Sequence, residues 1–174
     1  KEAVTAAFKS TRVIMTHSME MLKPGVLDFR ILHRFGNINQ GIKEFFGMDD
    51  ATIRLGLDYG LSNHLTIGIG RGSYRKEVDG FLKFRAVQQA TGPGGSPLSV
   101  LLVGGATVQT APWSGHKDDE SFTNRTAYYT QLILGRKFSD AFTLQLTPTL
   151  VHRNLVAPAD DNNTLALGTG GRIR

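Results

Sequence analysis

Residues 51–74, ATIRLGLDYGLSNHLTIGIGRGSY, decide how the chain is read. Ala51, Ile53, Leu55, Leu57 and Tyr59 alternate with Thr52, Arg54, Gly56 and Asp58, the period-two pattern of a strand with one apolar and one polar face. After a turn at Leu61 to His64 the pattern resumes, with Leu65, Ile67 and Ile69 opposite Thr66, Gly68 and Gly70. The unit reads as a β-hairpin. A face of Ile, Leu and Tyr opposite a face with Arg54 and Asp58 fits two folds. One is a soluble sheet with a wet outside; the other is a membrane barrel with a wet inside and an oily outside.

The same two-faced pattern recurs on both sides of this hairpin. Leu27, Phe29, Ile31 and Phe35 oppose Asp28, Arg30 and Arg34, while Leu82, Phe84 and Ala86 oppose Lys83 and Arg85. Phe142, Leu144, Leu146 and Leu150 alternate with Thr143, Gln145, Thr147 and Thr149. LSVLLVGGATVQT is an almost wholly apolar strand, RTAYYTQLILGRKF another strand, and LALGTGGRIR a last one. With Val4 to Ser18 read as a first strand, the chain holds about nine strands. IKEFFGM, in the long connection Asn37 to Asp50, has the spacing of a short helical turn.

Composition agrees. Glycine, at 20 of 174 residues, recurs inside the alternating segments as well as in turns, and there is no cysteine for a disulfide framework or thiolate metal site. The net charge of +5 and pI near 9.7 come from basic residues spread over strand positions, never in a run, so no nucleic-acid partner is expected. The longest apolar run, Leu98 to Val108, is roughly half the ~20 residues of a spanning helix, whereas barrel strands need only ~9–11. KEAVTAAFKS lacks the apolar core of a signal peptide.

The connections sort into two sets. Turn-like or Gly/Pro-rich links alternate with longer ones carrying Asp49-Asp50, Asp118-Asp119 and Asp160-Asp161, plus a short charged link at Arg75 to Asp79. An up-and-down meander puts the sets at opposite ends, as in outer-membrane barrels with short periplasmic turns and longer outer loops. Phe35, Tyr59, Tyr74, Phe138 and Phe142 sit near strand ends like an aromatic girdle.

The stretches FKSTRVI, LDFRILHRFGNINQG, FFGMDDATIRLGLDYG, DGFLKFR, LQLTPTLVHRNLV and ALGTGGR, in this order, resemble an uncharacterised family of outer-membrane β-barrel proteins of Bacteroidota-type bacteria. The resemblance implies an all-β, antiparallel, up-and-down transmembrane barrel in the bacterial outer membrane, and no established activity. Residues 1–174 read as a single β-barrel domain, incomplete at its C-terminus and part of a barrel of about twelve strands. The expected role is structural anchoring or transport through a pore, without catalysis, cofactor or metal. Its partners are outer-membrane lipid, lipopolysaccharide and other envelope proteins. The alternative is a soluble up-and-down barrel that holds a hydrophobic small molecule.

The inward charges Asp28, Arg30, Arg34, Arg54, Asp58, Lys83 and Arg85 form the candidate site. Interlocked, they plug the barrel and make it a scaffold or anchor; lining an open lumen with positive excess, they make an anion-favouring pore. Other constellations carry less. GIGRG at Gly68 to Gly72 is followed by Ser73 and lacks the helix a phosphate loop requires, so its glycines read as small residues on a crowded face. The histidines at 17, 33, 64, 116 and 152 show no metal spacing, and His152, on the apolar face, is the one conceivable lipid-side catalytic group but has no partner serine by spacing. The acidic pairs match no calcium loop and read as solvated.

Overall fold

A computed structural model describes residues 1–14, 16–112 and 121–174. Trp113, His116 and the acidic run Asp118, Asp119, Glu120 lie outside the described residues. The long strands are β4 (Leu27–Arg34), β5 (Thr52–Gly60), β6 (Leu65–Gly72), β7 (Glu77–Val87), β9 (Ser99–Gln109), β10 (Thr126–Lys137), β11 (Phe142–Arg153) and β12 (Asn163–Ile173). They form one 8-stranded antiparallel sheet in the order β12-β11-β10-β9-β7-β6-β5-β4, a plain meander curled into a half-barrel. Strands β4 and β12 are the free edges, and they do not pair with each other.

Alternation sets the two faces. On β5, Ile53, Leu55, Leu57 and Tyr59 point to the convex side, while Arg54, Gly56, Asp58 and Gly60 point into the concavity. Leu55 is 47% exposed and Asp58 1%, an inversion of the usual burial order that a lipid-facing exterior reconciles with hydrophobic energetics. Phe29, Ile31, Ile69, Leu82, Phe84, Leu102, Leu132, Leu144, Leu146 and Leu150 continue the convex apolar surface. The soluble-barrel alternative needs these residues inside, and the fold puts them outside. Tyr59, Phe138 and Phe142 stand exposed at one end of the sheet, Phe35 and Tyr74 at the other, and Phe138 stacks on Phe142 across the short turn at 5.5 Å.

The connections segregate as the meander demands. Links 61–64, 88–98 and 138–141 lie at one end; 35–51, 73–76, 154–162 and the described residues 110–112 and 121–125 lie at the other. In the 35–51 link Ile38–Gly47 forms a 3-10 segment, matching the helical turn expected at IKEFFGM. Pro148, which cannot donate to a ladder, accounts for the gap in the β10–β11 pairing between Gln131–Thr149 and Leu134–Leu146, across which the register is unchanged.

The expectation that Val4 to Ser18 forms a barrel strand is corrected. This segment has no sustained apolar row to present to lipid: Lys9, Ser10, Thr11 and Arg12 interrupt it. Together with Glu2 and Ala3 it lies against the concave face, and among the described residues makes only two-residue pairings, β1 (Glu2–Ala3) with β8 (Ala90–Thr91) and β2 (Arg12–Val13) with β3 (Thr16–His17). The sheet therefore has eight long strands where nine were expected.

The interior glycines make room for what fills the concavity. A Cβ at Gly68 would stand 2.1 Å from the Phe81 ring, and one at Gly70 2.2 Å from the Arg54 guanidinium. This is the small-residue account of GIGRG. Because Phe81 is buried and rigid whereas Arg54 is long and flexible, Gly68→Ala is expected to cost more than Gly70→Ala, within the ~1–3 kcal/mol typical of overpacking. Gly104, whose Cβ would meet nothing within 4 Å, serves as the neutral control. Thermal unfolding of the three variants in detergent checks the order.

Candidate functional site: a filled concavity

Residues 1–14 enter the concavity at the short-turn end, Val13 pairs with Thr16, and residues 16–22 lead back out toward Lys23. Polar contacts join the two arms of this hairpin. Glu20 Oε1 accepts from the amides of Ala7 (2.6 Å) and Phe8 (3.1 Å), the Ser18 amide donates to the Thr11 carbonyl (2.9 Å), and the Ser18 hydroxyl to the Ser10 carbonyl (2.6 Å).

An apolar cluster seats the hairpin: Ala7, Phe8 and Met19 pack with Phe81, Leu101, Val103 and Ile133 from the sheet. The inward Leu101 and Val103 explain why LSVLLVGGATVQT is apolar on both faces. Polar clamps fix its backbone. Gln145 accepts from the Met19 amide (2.8 Å) and donates to the His17 carbonyl (2.7 Å), so one side chain reads both an N–H and a C=O of the hairpin as a neighbouring strand would. Lys83, 1% exposed, donates to the Glu20 carbonyl, and Arg85 to that of Met19 (3.4 Å). Arg172 on β12 donates to the Ala6 carbonyl (2.8 Å).

The charges interlock. Asp58 lies 3.0 Å from Arg12 of the hairpin and 3.7 Å from Arg30, which also binds Asp28 and the Thr11 hydroxyl (2.7 Å). Arg54 donates from Nε to both carboxylate oxygens of Asp79 (2.8 and 3.1 Å). Arg12 also donates to His17 Nδ1 and lies 4.7 Å from the Phe81 ring centroid, while the His17 ring meets Phe81 edge-on at 4.5 Å. Of the seven residues expected to share a lumen, Asp28, Arg30 and Asp58 belong to one network. Arg54 belongs to a second pair, and Lys83 and Arg85 hold the hairpin's carbonyls. Arg34 stands exposed at the end of β4, apart from these contacts.

Arg12, His17, Glu20, Asp79 and Gln145 were not among the expected site residues. Asp79 was assigned to a connecting link, although Glu77, Asp79, Phe81, Lys83 and Arg85 share one parity, which a longer reading of the strand reveals. Gln145 carries the right parity but no charge. Arg12 and Glu20 belong to the hairpin, whose position no local pattern announces.

Toward the long-loop end the hairpin stops short and leaves a cleft of about 660 Å³. Arg12 and His17 form its floor, with Arg34, Arg54, Asp79, Tyr129 and Gln131 on its walls. Gln131 donates to the Thr149 hydroxyl (3.2 Å), and its buried Oε1 has no protein partner, an open acceptor for a solute hydroxyl or water. His152 is engaged by Asn163 (2.9 Å) and Asn154 (3.1 Å) on the rim. Among the described residues no group of three or more His, Cys, Asp or Glu assembles. At the short-turn end, the exposed Asp140 carboxyl is held below its ordinary range by a hydrogen bond from Lys137 (2.7 Å). That contact is present above about pH 4 and is lost as pH falls through the depressed value.

A family model described as a membrane-bound β-barrel domain of unknown function (DUF5777) matches residues 8–174. Neither the curated proteins nor the solved structures give a match.

Removing one partner of a buried ion pair strands the other, at roughly 3–5 kcal/mol. Arg12→Met and Asp58→Leu are each expected to raise protease cleavage within residues 1–22, and the double variant to recover much of the protection. Equal cleavage in all three and in the parent protein would contradict the pairing.

Proposed function

We propose, on the premise that this chain belongs to that family of membrane-bound β-barrel domains, that it acts as a plugged scaffold that anchors an assembly in the outer membrane, and not as an open pore. One observation carries this reading: the middle of the polar concave face is taken up by the chain's own N-terminal hairpin. The side chains that would line a lumen, Asp58, Lys83 and Gln145, are each 1% exposed because they bind that hairpin. An anion-selective pore needs cationic groups open to passing ions. Here Arg12, Arg30 and Arg54 are matched by Asp28, Asp58 and Asp79.

Placement in the outer membrane is supported by the barrel architecture with short turns at one end and longer loops at the other. The free edges bear on the domain's extent. On β12, Leu165 and Leu167 are 79% and 67% exposed, against 39% and 40% for Leu144 and Leu146 on β11, because no neighbouring strand covers them. Lipid cannot satisfy an open row of backbone N–H and C=O groups. The reading therefore requires further strands of the same barrel at β4 and β12, consistent with a barrel of about twelve strands. Membrane lipid, lipopolysaccharide and other envelope proteins are the proposed partners.

Planar-bilayer recording tests the role. The parent protein is expected to show no steady conductance, and a variant lacking residues 1–22 to conduct. Steady anion-selective conductance by the parent protein would overturn the scaffold reading in favour of the pore.

A further inference from the structure

The connection between β4 and β5 is built unlike a solvated loop. Its neck is closed by a hydrogen bond from the Gly36 amide to the Gly47 carbonyl (2.7 Å), where the chains approach so closely that a Cβ at Gly47 would stand 2.4 Å from the Gly36 carbonyl oxygen. Gly47, at φ +84°, is the residue that permits this approach. Residues 37–46 are thereby held as a closed loop. Ile38, Ile42, Phe45, Phe46 and Met48 are all exposed, Ile42 at 78%, and none belongs to the cluster that forms the fold's interior. Phe45 and Phe46 both take positive φ, a region bulky residues rarely enter, and both rings stay uncovered.

Ile38, Ile42, Phe45 and Phe46 alternate along this segment with the polar Asn37, Asn39 and Lys43. Five large apolar side chains left exposed on one short connection mark an interaction site. Its location selects the partner. Phe35 extends the outward row of β4, which carries Phe29 and Ile31, and the chain re-enters the sheet at Ile53 and Leu55 on the outward face of β5. Both ends of the connection thus join strands at their lipid-facing rows, which places it at the rim of the lipid-facing wall. A soluble protein seated on it would also have to displace lipid from that wall.

We infer that residues 35–48 form an interfacial membrane anchor, lying in the plane of the bilayer on the long-loop side with Ile38, Ile42, Phe45 and Phe46 inserted among lipid acyl chains. The inference rests on the membrane-barrel premise and not on the plugged-scaffold role. The anchor fixes the barrel's height and rotation in the membrane beside β4 and β5.

The absence of cysteine makes a single introduced thiol unique, so nitroxide labels at Ile38→Cys and Ile42→Cys test the anchor. The protein is placed in phosphatidylcholine vesicles, with Leu55→Cys as the wall reference and Asp160→Cys as the loop reference. Label collision with oxygen, which concentrates in lipid, is compared with collision with a water-soluble nickel chelate. The oxygen-to-nickel ratio at 38 and 42 is expected to shift from the Asp160 value to the Leu55 value. A ratio like that at 160 places the loop in water and overturns the anchor. Protection from both reagents places it against protein and also overturns it. A water-like ratio at 55 itself would instead bring down the membrane premise, and the anchor with it.

Discussion

Successive side chains of a strand point to opposite faces, and a bilayer accepts only one of those faces. Every long strand here meets that constraint by turning its apolar row outward, which leaves a concave face of Arg, Asp, Lys, Gln and Thr that must find partners inside. The rest of the structure follows from that division. Inward glycines open space, Gly68 for Phe81 and Gly70 for Arg54, and carboxylates sit opposite guanidinium groups. The remaining hydrogen-bonding capacity is taken up by a segment of the chain itself.

The N-terminal hairpin answers the polar face on its own terms. Where the concave wall is apolar, at Leu101, Val103 and Ile133, the hairpin offers Ala7, Phe8 and Met19. Where the wall is polar it offers backbone, and Gln145, Lys83, Arg85 and Arg172 bind amides or carbonyls rather than side chains. Main-chain recognition explains why the segment needs little regular structure of its own. It also stops short of the long loops, so the long-loop end keeps a cleft, and a second cleft of about 530 Å³ opens at the short-turn end beside Glu20, Lys23, His64 and Arg85.

Much of this was legible in the residues. The strands from Leu27 to Ile173, their antiparallel meander, the sorting of loops to two ends and the outward direction of Leu55 and Leu57 all follow from period-two alternation, which is a local property. So do the inward positions of Asp28, Arg30, Arg54, Asp58, Lys83 and Arg85. What was not legible is non-local. Arg12 meets Asp58, and Met19 meets Gln145, across most of the sheet, and nothing in FKSTRVIMTHS distinguishes a segment that lines a wall from one that rests against it. Asp79 was missed for a smaller reason, because charge at a strand's beginning reads as a turn.

The central claim is that residues 1–22 occupy the concavity, and one cross-link addresses it most directly. A Cβ built at Gly135 on β10 would lie 3.3 Å from the Met19 Cβ, close to the ~3.5–4.5 Å of a disulfide. In the otherwise cysteine-free chain, Met19→Cys with Gly135→Cys is expected to form an intramolecular disulfide under mild oxidation of the membrane-embedded protein, seen as reduction-sensitive mobility on a gel. Two thiols that stay free and alkylatable while the barrel remains folded would contradict the account.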